Sequence, residues 1–227
     1  MMKKLLIFIC AAGMSAPAFC ATDAAKLDDR LSSARSVIEE IMSTPDKAIP
    51  DGIAKQAVCI GVVPGMVKGA FIFGAEYGQG VVTCRTGHGW SAPVFIRMAG
   101  GSFGFQIGGQ GTDLILVAVN QKGFQDLLSS KFKIGGDASA AAGPVGRDTQ
   151  ASTDISMRAE LLTWSRAKGL FAGVDLNGIS VSQNQDDTNA FYGGSHSFES
   201  ILHGNVPSPQ SATPFLETVS KYFRSAQ

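Results

Sequence analysis

Gly100-Gly101-Ser102-Phe103-Gly104 matches the string G-x-S-x-G, in which a serine on a sharp strand-to-helix turn exposes its hydroxyl for acyl transfer. Here the string continues into Phe103, Phe105 and Ile107, an alternation that belongs to a strand, so Ser102 reads as part of a β bend. The histidines, His88, His196 and His203, form no i, i+4 pair and have no carboxylate cluster beside them. His88, in Gly87-His88-Gly89, fits a hairpin tip, and His196 and His203 flank Glu199 on a short segment that Gly204 ends. Asp186-Asp187 followed by Asn189 lacks the glycine and terminal glutamate of a calcium loop and suits a helix cap. No GxxxxGK[ST] string occurs, and Gly143-Pro144-Val145-Gly146-Arg147 lacks both its lysine and its length. Neither an enzyme, a metal site nor a cofactor is expected.

Six cations, Lys68, Arg97, Arg147, Arg158, Arg166 and Lys168, stand singly beside Gly-rich or apolar stretches. Converging from separate strands, such groups recognise a phosphate; taken one by one, they are solvated charges at strand ends. Cys59 and Cys84 lie in separate β-like runs, with no Cys-x-x-Cys string and no nearby histidine for zinc. In an exported chain they are expected to pair as a disulfide tying neighbouring strands, the alternative being two buried thiols.

Export is read from the first 20 residues. Lys3 and Lys4 precede an apolar run over residues 5–12 and small residues near Pro17, the pattern of a cleaved secretory signal, with cleavage after Ala18 or Cys20. Phe19 before Cys20 and Ile9 before Cys10 do not fit a lipoprotein signal. Of 19 basic residues, losing Lys3 and Lys4 leaves 17 against 19 acidic ones, a net charge of −2. Neither that balance nor the full sequence's net charge of +0 favours nucleic acid as a partner. Hydrophobic residues at 44% against 17% charged support a packed core, so residues 21–227 are read as one domain. Phe 14 against Tyr 3 and Trp 2 puts most aromatic surface on a side chain with no polar handle, as in a core or a greasy pocket.

The elements that must position these residues follow from periodicity. Leu27, Leu31, Ala34, Ile38 and Ile41 recur at helical spacing and predict an amphipathic helix over residues 22–42. Its polar face mixes both signs of charge, which favours packing on the body over lying on a bilayer. A short helix follows Pro50. Residues 58–119 read as six strands, VCIGVV, GAFIFGAEYG, GVVTCR, APVFIRMAG, GSFGFQIGG and TDLILVAV, whose many glycines point to a tightly curled sheet or partial barrel. Residues 71–80 and 103–111 echo each other as similar hairpins. A helix is expected at 121–129; residues 131–146 fit either a helix or a closely packed strand. Strands return at 159–165, 170–176 and 179–182, with Asn177-Gly178 signalling a hairpin between the last two. Helical turns at 187–192 and 198–202 lead to a closing helix from Pro214 to Phe223. The expected class is α+β, a strongly curved antiparallel sheet or partial barrel with N-terminal, middle and C-terminal helices.

Residues 57–64 (AVCIGVVP), 68–71 (KGAF) and 74–80 (GAEYGQG) resemble the opening signature of the SYLF domain. Ser91-Ala92-Pro93, residues 101–108, 138–147 and 165–173 resemble its later blocks in the correct order, so the resemblance covers about residues 27–193. Trp164 stands where that family usually has Tyr. The resemblance implies a non-catalytic lipid-binding module: eukaryotic members bind phosphoinositides and are linked to actin-regulating proteins, and bacterial members are exported proteins thought to bind phospholipid. On this reading the protein is periplasmic and meets phospholipid or a membrane surface, with Lys68, Arg97, Arg147, Arg166 and Lys168 near the head group. Phe71, Phe73, Phe103, Phe105 and Phe171 are candidates for the greasy wall, though alternation serves an ordinary core equally well. The reading from another class is an envelope structural or protein-interaction module without a lipid ligand.

Overall fold

The computed structural model of the protein describes residues 19–44, 48–70, 74–102, 110–144, 159–167, 170–173, 176 and 178–224; at 19–23, 68–70, 74, 102, 110, 167 and 170–173 it describes the backbone alone. The expected signal segment up to residue 18 and the candidates Phe71, Phe73, Phe103, Phe105, Arg147 and Lys168 lie outside the described residues.

Helix α1 (Phe19–Ser43) is followed by α2 (Asp51–Gln56), and then by β1 (Cys59–Ala70), β2 (Gly74–Thr86), β3 (Gly89–Trp90), β4 (Val94–Ser102) and β5 (Gln110–Ala118). After α3 (Gln121–Leu128) come β6 (Lys131–Lys133), β7 (Ala140–Ala142), β8 (Leu161–Ala167), β9 (Leu170–Gly173) and β10 (Ser180–Gln183). Helices α4 (Gln185–Tyr192), α5 (Phe198–Leu202) and α6 (Thr213–Tyr222) close the described chain. Eight strands lie in the order β6-β10-β4-β2-β1-β5-β8-β7, with β3 added to β2 and β9 to β8. They form a curled half-barrel, antiparallel except where β7 meets β8, so the α+β class expected from the sequence holds.

Both faces of this sheet are covered, which is why its central runs are apolar almost without interruption. On one face Cys59, Val63, Val82, Val94 and Leu116 pack with α3 and α5. On the other, Ile60, Val62, Val81, Phe95 and Val117 pack beneath α1, α2 and α6, and the periodic residues Leu27, Leu31, Ala34, Ile38 and Ile41 of α1 are all buried there.

Two expectations are corrected. The first three runs do not form three strands: they merge into the 12 residues of β1 and the 13 of β2. Gly65, at φ +59°, absorbs a bulge inside β1 instead of ending it, and its N–H is held at 2.8 Å by the Asp113 carboxylate of β5. Gly78 and Gly80 continue β2 because the neighbouring strand fills the space of their missing side chains. A Cβ on Gly80 would lie 2.4 Å from the carbonyl oxygen of Val62, and one on Gly78 would lie 2.6 Å from Val63. The second correction is Asn177-Gly178, which does not make a β9/β10 hairpin. Gly178 turns the chain at φ +91°, but β9 pairs with β8 while β10 crosses to lie between β4 and β6. Burial decides this: Val181 of β10 joins Met98 and Phe132 in the α3/α5-side core. The ambiguous stretch after Ser130 resolves into the short strands β6 and β7.

Cys59 and Cys84 are direct partners in the β1/β2 register, with Cα atoms 4.0 Å apart and the two Sγ atoms at disulfide distance, 2.05 Å. Arg85 N–H donates to Val58 carbonyl oxygen and Cys84 N–H to Ser91 Oγ, which leaves the cysteines at a narrow, non-hydrogen-bonded position of the ladder.

Candidate functional site

On the face beneath α1 the strands present three successive rows, spaced by two residues or about 6.7 Å. The innermost runs Phe95, Val81, Val62, Ile115, Trp164 across β4, β2, β1, β5 and β8, every member fully buried. The next is polar: Arg97 opposite Gln79 on β4 and β2, and Asp113 opposite Arg166 on β5 and β8. The β1 bulge, which carries Gly65, lies between these two pairs. The outermost row is Ala99, Tyr77, Val67, Gly111. The one extra residue in the bulge brings Val67 back onto this face, and Val67 and Tyr77, directly opposed across β1 and β2, are 53% and 50% exposed. Helix α1 therefore stops covering the sheet at the polar row, and the strand ends project beyond it.

The polar row is held by α1 and α4. Arg30 Nη1 donates to Asp187 Oδ2 at 2.6 Å and its Nη2 to Gln79 Oε1 at 2.8 Å, with its guanidinium over the Phe95 ring at 5.5 Å. At the other end of α1, Arg166 is bracketed by Asp113 and Glu40, with Nε 2.7 Å from Asp113 Oδ2. Arg97 Nη2 lies 3.5 Å from Asp186 Oδ2, at the start of α4. That helix is tied to β4 by Asn184 N–H to Phe95 carbonyl oxygen, Phe95 N–H to Thr188 Oγ1, and Tyr192 O–H to Pro93 carbonyl oxygen. Burial pushes the Tyr192 phenol up, so it stays a neutral donor. Two cavities flank the row. One, of about 310 Å³, is lined by Lys26, Leu27, Arg30, Gln79, Asp186 and Asp187; the other, of about 420 Å³, by Ser33, Ser36, Pro64, Gly65, Asp113 and Arg166.

Of the candidates drawn from the sequence, Arg166 and Phe171 are register partners across β8 and β9. Arg97 is not brought near Arg166: the two stand four strands apart, on the order of 19 Å. Lys68 lies on β1, in register with Glu76 and Gln110. Ser102 ends β4 opposite Gly74. Among the described residues no three His, Cys, Asp or Glu side chains gather closely enough to share a metal, and no helix is long and apolar enough to cross a membrane. A separate polar cluster joins Lys122, Asp126 and Glu160, where α3 meets β8. Burial raises the Asp126 carboxyl above its ordinary value. For Glu160 burial works in the same direction, but hydrogen bonds from Lys122 and Ser139 outweigh it and hold that carboxyl low.

Tyr77, Val67 and Arg30 were not among the candidate binding residues, and Asp186 was read only as a helix cap. Tyr77 had a signal: 75, 77, 79 and 81 alternate along one strand, visible only once Gly78 and Gly80 are read as continuing it.

Comparison with known proteins bears on what this surface serves. Residues 99–222 match the Ysc84 family, described as Las17-binding protein actin regulator. Protein YSC84 of Saccharomyces cerevisiae is 31% identical over 175 residues, covering 75% of this chain and 37% of that protein. LAS seventeen-binding protein 3 of the same yeast is 31% identical over 180 residues, 77% of this chain and 39% of that one. SH3 domain-containing YSC84-like protein 1 of Rattus norvegicus is 30% identical over 180 residues, 78% and 53%. The chain thus spans about half or less of the length of these relatives. With the family match running from the end of β4 through α6 and the relatives covering three quarters of the sequence, the chain belongs to the Ysc84 family, that of the SYLF domain.

Proposed function

We propose that the protein is a non-catalytic phospholipid-binding module of the bacterial cell envelope, exported to the periplasm, that docks through the strand ends projecting beyond α1. The observation that carries the reading is the exposed Val67–Tyr77 pair in a row otherwise made of Ala99 and Gly111. Large apolar groups seldom stand side by side in water without a partner, and a tyrosine with one wet edge suits a membrane interface. The polar row one step inward would then meet the head groups. The disulfide expected of an exported chain fits the sulfur distance of Cys59 and Cys84.

Flotation of the mature protein with phospholipid vesicles tests this. Wild type is expected to float, and a Val67→Ser, Tyr77→Ser double variant to lose about ten-fold or more in vesicle affinity while keeping its folding stability. Equal flotation of the two would remove this surface from the proposal. A second reading is favoured by the names of the relatives, which describe binding of Las17, a protein partner. Recovery of one envelope protein on the immobilised chain, unchanged by delipidation and by the double variant, would support it.

A further inference from the structure

The described polar row carries no surplus of cations. Arg30 faces Asp187, Arg166 faces Asp113 and Glu40, and Arg97 faces Asp186, while the sequence as a whole has a net charge of +0. A surface of this kind does not draw in an anionic membrane by its field. Its charges instead come in adjacent opposite pairs, and one pair is open. Arg97 is 39% exposed at its side chain and Asp186 89%, with 3.5 Å between them. The Arg30–Asp187 pair, at 14% and 25%, is committed to holding α1 against β2 and α4.

An exposed pair at this distance contributes little to folding, so a ligand that satisfies both charges can displace it cheaply. Asp186 lines the cavity of about 310 Å³ beside α1, and Arg97 stands at its edge on β4, opposite Gln79 of the same lining and 3.5 Å from Asp186. Two residue pairs farther out in that register, on the same face, stand Ala99 and the half-exposed Tyr77. Arg97, with Asp186 of α4 beside it, is therefore followed on the same face of the sheet by the apolar row.

We infer that this corner recognises the head group of a zwitterionic phospholipid with a primary amine, of the phosphatidylethanolamine type. The phosphate lies on the Arg97 guanidinium, the ammonium donates to the Asp186 carboxylate across its two-carbon spacer, and the acyl chains run out over Tyr77 and Val67. A choline head group lacks N–H donors for Asp186, and a glycerol head group lacks the positive charge. The inference rests on the phospholipid-binding reading above and names its ligand class.

The test is flotation of the mature protein with three vesicle compositions: phosphatidylcholine alone, phosphatidylcholine with phosphatidylethanolamine, and phosphatidylcholine with phosphatidylglycerol. Wild type is expected to prefer the ethanolamine vesicles to the other two by about five-fold or more. Asp186→Asn removes that preference without weakening binding to the glycerol vesicles, whereas Arg97→Gln weakens binding to all three. Both residues are exposed enough for the variants to fold, which a urea unfolding curve checks. Wild-type preference for phosphatidylglycerol, or an Asp186→Asn profile identical to wild type, overturns the head-group assignment and leaves lipid binding standing. No flotation in any arm overturns lipid binding itself, and the assignment with it.

Discussion

The inner and outer rows of the α1 face lie on the same strands, four residues or about 13 Å apart, yet one is dry and the other half exposed. Phe95, Val81, Val62, Ile115 and Trp164 sit beneath a helix that Arg30 fastens to β2 and Glu40 fastens to Arg166 of β8. Tyr77 and Val67 have the same strand geometry and the same cross-strand pairing, but among the described residues no helix covers them, and they are 50% and 53% exposed. Side-chain type alone does not separate the rows, since tyrosine and valine are as suited to a covered strand as phenylalanine and isoleucine. The difference lies in where α1 crosses, and the polar row between them marks its edge.

The sharpest way to break this contrast is to truncate one large residue in each row. Trp164→Ala is expected to cost about 3–5 kcal/mol in urea unfolding, because it empties a fully buried site, whereas Tyr77→Ala should stay within about 0.5 kcal/mol. Similar losses for both would mean that the outer row is covered in solution. Removing the Cys59–Cys84 link by a double Ala substitution is expected to cost about 3 kcal/mol from loop entropy, with a matching drop when wild type is unfolded in reductant. A wild-type curve indifferent to reductant would show two thiols instead.

Arg30→Ala strips the clip at one end of α1, taking its hydrogen bonds from Gln79 and from Asp187, which keeps that from Asn184 Nδ2, for an expected loss of about 1–3 kcal/mol. The same variant should speed hydrogen exchange in the first turns of α1 more than in α6. The smallest effect is reserved for a polar group that the fold leaves poorly served. Asp126 Oδ2 is buried without a hydrogen-bond partner, and burial raises its carboxyl. Since the native state holds that proton more tightly than the unfolded chain, stability falls as pH rises from the ordinary aspartate range through the raised native value. Asp126→Asn should flatten that part of the pH profile and leave neutral-pH stability slightly higher; an unchanged profile would mean that solvent reaches the carboxylate.

Much of the covered half was legible in order and type of element. The 3–4 spacing from Leu27 to Ile41 marks a helix with one buried face, and the apolar runs around Ile60 and Leu116 mark strands buried on both sides. The uncovered half was harder to read. Glycine at 65, 78 and 80 looks like punctuation in a sequence, but here it allows two long strands to bulge and approach closely. The candidate cations were scattered in sequence, and the two whose side chains are described stay apart in space: Arg97 and Arg166 each meet a carboxylate from a distant segment, which no local pattern announces. Asn177-Gly178 misled for a related reason, because a turn signal fixes a reversal of direction and not which strand the returning chain joins.

By itself, then, the sequence determined the periodicities, the two cysteines placed to meet, the absence of surplus charge, and the family blocks in their order. Only the tertiary structure decided which rows α1 covers, which carboxylate each arginine faces, and where β10 enters the sheet. Periodicity is a property of neighbours along the chain, whereas cover and charge pairing depend on contacts between segments as far apart as Arg30 and Asp187, and these form only when the whole core closes.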